Sequence, residues 1–110
     1  MKPPVFQITS RDEGGTTVLA LSGELDLAGA PALDAALAAA REAGGGLTVD
    51  LTELEFIDSS GLGALVRFHN AAAAAGYEYS VIAGPPPVHR AFVLSGLDQA
   101  LPFAARSPLS

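Results

Sequence analysis

The sequence predicts an α/β fold, a mixed sheet of four or five strands packed with three or four helices. Three observations carry this expectation. Short runs rich in β-formers, at 5–8, 16–22 and 47–51, are separated by longer stretches whose apolar residues recur at helical spacing. Clusters of glycine and proline at 14–15, 44–46 and 84–87 punctuate those runs. The first two strands are joined by a turn and the third follows a helix, so antiparallel and parallel pairing should coexist.

Taken in order, residues 1–4 read as a loose end, and Val5, Phe6, Gln7 and Ile8 as a first strand. Residues 11–15, Arg-Asp-Glu-Gly-Gly, supply turn chemistry for an antiparallel hairpin with the strand at 16–22, which closes at Gly23. Residues 23–26 then leave the sheet. Pro31 suits a first helical turn, Leu33, Ala36, Leu37 and Ala40 form one apolar face, and the glycines at 44–46 end that helix behind Arg41. The strand at 47–51 follows, parallel to the second, with a right-handed crossover. A helix over 60–75 presents Leu62, Leu65, Val66 and His69 on one face and ends in five alanines before Gly76. Residues 77–83 form a fourth strand. Pro85, Pro86 and Pro87 pre-set a helix from Val88 to about Ser95, and 97–103 packs back as a short strand or turn. Residues 107–110 should fray. The chain is thus expected to be one domain over 1–110, with its core at about 5–104.

Composition narrows the function. Twelve acidic residues oppose six basic ones, for a formal charge of −6 and no basic cluster. Nucleic-acid binding needs a cationic footprint, so nucleic acid is not expected as a partner, whereas a protein with a basic face is. No apolar run approaches the roughly 20 residues that span a bilayer, and no secretory signal is visible at the N-terminus. With no cysteine there is no disulfide framework and no thiolate metal site. A cytoplasmic protein with no membrane association fits these features.

The chemistry concentrates at 56–63, Phe-Ile-Asp-Ser-Ser-Gly-Leu-Gly, where an apolar strand passes into the helix at 60–75. Asp58, Ser59 and Ser60 are all good N-cap residues. Gly61 and Gly63 are each poor helix formers by roughly 1 kcal/mol relative to alanine. A reason other than helix propensity must favour them, and a bare helix start would leave the hydroxyls exposed and let another molecule approach the backbone. Two readings follow: these residues cap the helix, with Ser or Asp accepting backbone N–H bonds, or one of the serine hydroxyls is modified. A hydrolytic triad is disfavoured, because His69 lies on the same helix more than ~10 Å from either serine by axial rise. There is also no Gly-x-Ser-x-Gly turn. His69 and His89 read as surface or boundary residues. Asp50, Glu53, Glu55 and Asp58 alternate in direction and form no metal set, so neither a catalytic residue, a metal nor a cofactor is expected.

Asp-Ser-Ser-Gly-Leu-Gly after an apolar strand resembles the signature of the STAS-domain anti-sigma-factor antagonists of bacteria. Three further segments agree in order and spacing: Gly23-Glu24-Leu25-Asp26; Val49-Asp50-Leu51; and Val88-His89-Arg90-Ala91-Phe92 with Ser95-Gly96-Leu97. The resemblance runs from Val5 to Phe103 and implies a STAS-like fold. It also implies that Ser59 is a phosphoacceptor modified by an anti-sigma factor with serine-kinase activity, using ATP. Unmodified protein would bind that kinase and release a sigma factor, and a PP2C-like phosphatase would restore it. Glu24, Asp26, Asp58, Ser60, Gly61, Leu62, Gly84 and Pro85 fall at positions of the partner face, with Leu62 leaning into the core at one side. Residue chemistry alone does not separate Ser59 from Ser60. The expected function is therefore a non-catalytic anti-sigma factor antagonist. The alternative is an accessory STAS domain of a transporter or of a multi-protein signalling assembly.

Overall fold

The computed structural model describes residues 5–104; the loose ends expected at 1–4 and 107–110 lie outside them. In chain order the elements are β1 (Gln7–Glu13), β2 (Thr16–Leu25), α1 (Ala30–Ala43), β3 (Gly46–Ile57), α2 (Ser59–Ala75), β4 (Ser80–Ile82), α3 (Pro86–Leu94) and α4 (Leu97–Ala100). The four strands form one sheet in the order β1-β2-β3-β4. β1 pairs antiparallel with β2, and the β2–β3 and β3–β4 pairings are parallel. The mixed α/β architecture agrees with the expectation from sequence.

Several boundaries differ, each for a physical reason. Arg11, Asp12 and Glu13 are not turn but the end of β1, because Gly14 and Gly15 alone close the hairpin with φ of 60° and 90°. Two consecutive residues with positive φ match the twist of the flanking strands, and Asp12 Oδ1 accepts the Gly15 N–H at 3.2 Å. β2 does not close at Gly23 but continues through Glu24 and Leu25. Gly23 has φ of +81°, and a Cβ there would meet the Val5 carbonyl oxygen at 2.2 Å, so only glycine lets the incoming chain cross this strand. β4 is shorter than 77–83, and 97–103 is a helical turn followed by a single bridge from Phe103 to Val81.

β3 extends six residues past the expected Leu51. Two register shifts against β2, between Ala20 and Ser22 and between Gly23 and Glu24, each place one extra residue in β3. An extra residue reverses the inward–outward alternation. Leu51, Leu54 and Ile57 consequently all turn inward and are buried, while Glu53, Glu55 and Phe56 are exposed. Both shifts together carry the strand to Asp58 with its last apolar residue still in the core.

One apolar cluster joins the inner sheet face (Leu19, Leu21, Leu25, Leu47, Val49, Leu51, Val81) to Leu33 and Leu37 of α1, Leu65 and Phe68 of α2, and Val88 and Phe92 of α3. On the opposite sheet face Thr48 and Ser80 are neighbours, their hydroxyls 3.2 Å apart. The buried side of α2 is Gly61, Ala64, Leu65, Phe68 and Ala72, so the apolar face is rotated from the expected Leu62–Leu65–Val66–His69 stripe. Asp34 of α1 and Arg67 of α2 pair at 3.1 Å across the helix surface, a contact worth at most about 1 kcal/mol because both side chains are exposed.

The distal end of α2 is fixed by aromatic groups. The Phe68 and Tyr79 rings meet edge-on at 5.0 Å, and the Tyr79 hydroxyl lies 2.9 Å from His69 Nδ1. Burial pushes the Tyr79 hydroxyl up to about 12 from 10.0. The neutral phenol is thus favoured by folding. The stability it contributes is complete below about pH 10 and is lost as the pH rises through about 12. An ultraviolet absorbance titration should show Tyr79 ionising late, and Tyr79→Phe should flatten the alkaline loss of stability; ionisation of Tyr79 near its ordinary value would contradict this packing.

Candidate functional site

The turn between β3 and α2 is built around Asp58. Its N–H donates to the Leu25 carbonyl at 3.1 Å, and its own carbonyl accepts the Leu62 N–H at 3.0 Å. The backbone at Asp58 is extended, and Oδ1 accepts the N–H groups of Ser60 at 2.9 Å and Gly61 at 3.2 Å. Asp58 is therefore the N-cap of α2, in agreement with the capping expected of this stretch, and the acceptor is the aspartate rather than a serine. Ser59, first residue of the helix, is exposed; Ser60 is half-buried.

Gly61 has an internal reason that the sequence did not disclose. It is buried, and a Cβ on it would come within 2.7 Å of Leu25 Cγ and 2.9 Å of Ile57 Cγ1. The helix start sits directly on the ends of β2 and β3, so the missing side chain serves close helix–sheet packing, in place of the bare outer surface expected from sequence. Gly63 differs, since a Cβ there would meet only the flexible Arg67 guanidinium at 3.3 Å. Leu62 is half-buried and packs against the core, in line with its expected position at the core's edge.

The acidic pair at the end of β2 lies next to this turn. Glu24 aligns with Phe56 and Leu25 with Ile57, and both Glu24 and Asp26 are half-buried. Asp26 shapes the following turn: Oδ1 accepts the Ala28 N–H at 3.1 Å, and its carbonyl accepts those of Gly29 and Ala30, each at 3.1 Å. That turn holds Leu27 out with 74 % of its surface exposed, and Phe56 is 46 % exposed on the neighbouring strand. Sequence reasoning missed both as surface features. The available signal for Leu27 was an apolar residue inside a turn-forming stretch.

Glu24, Asp26, Asp58, Ser59 and Ser60 are thus brought to one end of the sheet. Gly84 and Pro85 are held elsewhere. Gly84 is buried, and a Cβ on it would lie 2.8 Å from the Leu51 carbonyl oxygen, toward the middle of β3. Pro85 is the N-cap residue of α3 and accepts the Val88 and His89 N–H groups at 2.9 Å. Neither histidine belongs to the serine turn: His69 is tied to Tyr79, and His89 packs against Phe92 and Phe103. Among the described residues no group of three or more His, Asp or Glu side chains could hold a metal ion, and no helix is long and apolar enough to cross a membrane.

Comparison with known proteins places this geometry. A sequence model described as "Mlab, STAS domain" matches residues 8–103. An anti-sigma F factor antagonist of Paenibacillus polymyxa is 33 % identical over 100 residues, covering 89 % of this chain and 86 % of that protein. The chain belongs to the STAS-domain family. An anti-sigma factor antagonist from Mycobacterium paratuberculosis superimposes with a TM-score of 0.78 at 31 % identity, covering 96 % of this chain and 90 % of that one. SpoIIAA, an anti-sigma factor antagonist, superimposes in its unphosphorylated form with a TM-score of 0.72 at 26 % identity, over 93 % of this chain and 90 % of that one. The Bacillus SpoIIAA is also known in a phosphorylated form, which superimposes at 0.66 with 25 % identity, covering 93 % of each chain.

Two substitutions separate the cap from the packing. Asp58→Ala should cost about 1 kcal/mol, as loss of an N-cap generally does. Gly61→Ala would stabilise an ordinary helix by roughly 1 kcal/mol. Here the crowding against Leu25 and Ile57 should reverse the sign, giving a net loss of about 1–3 kcal/mol in urea unfolding. A stabilised Gly61→Ala protein would refute the close contact.

Proposed function

We propose that this protein is an anti-sigma factor antagonist switched by phosphorylation of Ser59. The observation that carries the reading is the division of labour at the start of α2: Asp58 supplies the cap, and Ser59 is left exposed beside it. Addition of a phosphate at Ser59 sacrifices no capping bond. The free end of the helix dipole favours the added negative charge, so the fold can accept it. A partner seated on the same turn cannot, because bulk and unpaired charge enter the interface together. The half-burial of Ser60, whose N–H is already held by Asp58, supports Ser59 as the acceptor.

In this reading the unmodified protein binds an anti-sigma factor with serine-kinase activity and thereby releases its sigma factor. The kinase transfers the ATP γ-phosphoryl to Ser59 and ends the complex, and a PP2C-like phosphatase reverses the step. The chain itself catalyses nothing and acts in the cytoplasm, where ATP is supplied. The antagonist names of the Paenibacillus polymyxa and Mycobacterium paratuberculosis relatives support the role, and the two forms of SpoIIAA support a phosphorylation switch. Glu24, Asp26 and Asp58 form an acidic rim for a basic partner face, with Ser60, Gly61 and Leu62 behind it. Gly84 and Pro85 are a more distant contact. The second reading is an accessory STAS domain of a transporter or multi-protein signalling assembly, with which the STAS-domain match over residues 8–103 is equally compatible.

Calorimetric titration with the cognate anti-sigma factor distinguishes these. Ser59→Asp should weaken binding at least about tenfold while stability stays within about 1 kcal/mol, as for most surface changes. Ser59→Ala should bind as tightly as unmodified protein. Equal binding by all three would remove the switch, and a collapsed fold in Ser59→Asp would make Ser59 a structural residue.

A further inference from the structure

A groove of about 540 Å³ opens between α3 and the chain at 103–104, lined among others by Gly84, Pro86, His89, Arg90, Val93 and Phe103. Its volume falls in the range of small-molecule sites, and its wall is chiefly apolar. Val93 is 51 % exposed, so this apolar wall is open to an incoming molecule.

The polar groups of the wall are of one kind. Among the described lining residues there is no carboxylate, and the ionisable side chains are those of His89 and Arg90. In a chain of formal charge −6 this is a local excess of N–H donors. His89 stands edge-on to Phe103 at 5.0 Å and stacks on Phe92 at 6.1 Å. Among the described residues its buried Nδ1 has no hydrogen-bond partner. A proton on that nitrogen would be a buried donor with no partner among the described residues, which is costly, so Nε2 is the ring nitrogen suited to donate. His89 thus offers an Nε2–H donor, and the exposed Arg90 lines the same groove.

We propose that this groove binds a small carboxylic acid with an apolar body, of the size of a medium-chain fatty acid. The carboxylate is held by Arg90 and the His89 Nε2–H, and the chain lies along Pro86, Val93 and Phe103. Charge complementarity selects the acid over a neutral molecule of the same shape, because charge-assisted hydrogen bonds are the stronger ones. The bound molecule would sit beside Pro85, but the proposal does not depend on the antagonist role.

Decanoate, below its micelle-forming concentration, is the probe, with decanol as the uncharged control. In a nitrogen–proton NMR titration of the full chain, decanoate should give saturable shifts confined to 83–93 and 103–104. Arg90→Gln should weaken it about tenfold, as loss of a charged hydrogen bond does, and decanol should bind correspondingly less well. Val93→Trp should fill the groove and abolish the shifts; both sites are exposed, so these variants should fold. Shifts that do not saturate, that centre on Leu27 or Phe56, or that persist unchanged in both variants would overturn the assignment.

Discussion

The carboxylate of Asp58 and the backbone on either side of it hold three elements in one place. The Asp58 N–H is bound to Leu25 at the end of β2, its Oδ1 caps α2, and its own position marks the exit of β3. Gly61 completes the joint by letting the first turn of α2 rest on Leu25 and Ile57 without an intervening side chain. Everything proposed for Ser59 depends on this joint. Because Asp58 satisfies the helix start and Gly61 seats it, the exposed Ser59 is not needed as the cap. An exposed residue not needed as the cap is well suited to carry a reversible charge.

The proposed charge would act through local electrostatics. A phosphoryl group brings close to two negative charges and three acceptor oxygens to a helix end that already favours anions. The same group placed against a docked protein must lose its hydration without gaining partners, which is unfavourable. Glu24 and Asp26, on the adjacent strand end, sharpen the contrast. In the proposed switch they would suit a basic partner in the unmodified state and would stand beside a much more negative surface after modification. No rearrangement of the core is required, in keeping with the continuous apolar cluster beneath the turn.

Much of this was legible in the sequence where local patterns and tertiary structure agree. The hairpin, the α1 face of Leu33 and Leu37, and the limits of α2 to within a residue follow from period, capping and turn chemistry, whereas α3 begins at Pro86, two residues before the expected Val88. The extension of β3 did not, because its two register shifts place Leu51, Leu54 and Ile57 at intervals of three, which matches neither strand nor helix periodicity. Local pattern alone makes Gly23 a strand end and Gly61 part of a bare surface. Their actual reasons are contacts with Val5 and with Leu25 and Ile57, which no local window contains. The serine turn was recognisable as a unit, but the choice between a cap and a free hydroxyl needed the geometry of Asp58. The groove at His89 has no sequence signature, since Phe103 and the start of α3 meet only through the fold.

The central claim is that Ser59 exists to be modified, and peptide mass spectrometry on protein recovered from its native host addresses it most directly. The account predicts a phosphate localised to Ser59, with an occupancy that changes between growth and stress. A protein unmodified at Ser59 under all such conditions, or one carrying its phosphate on Ser60, would contradict it.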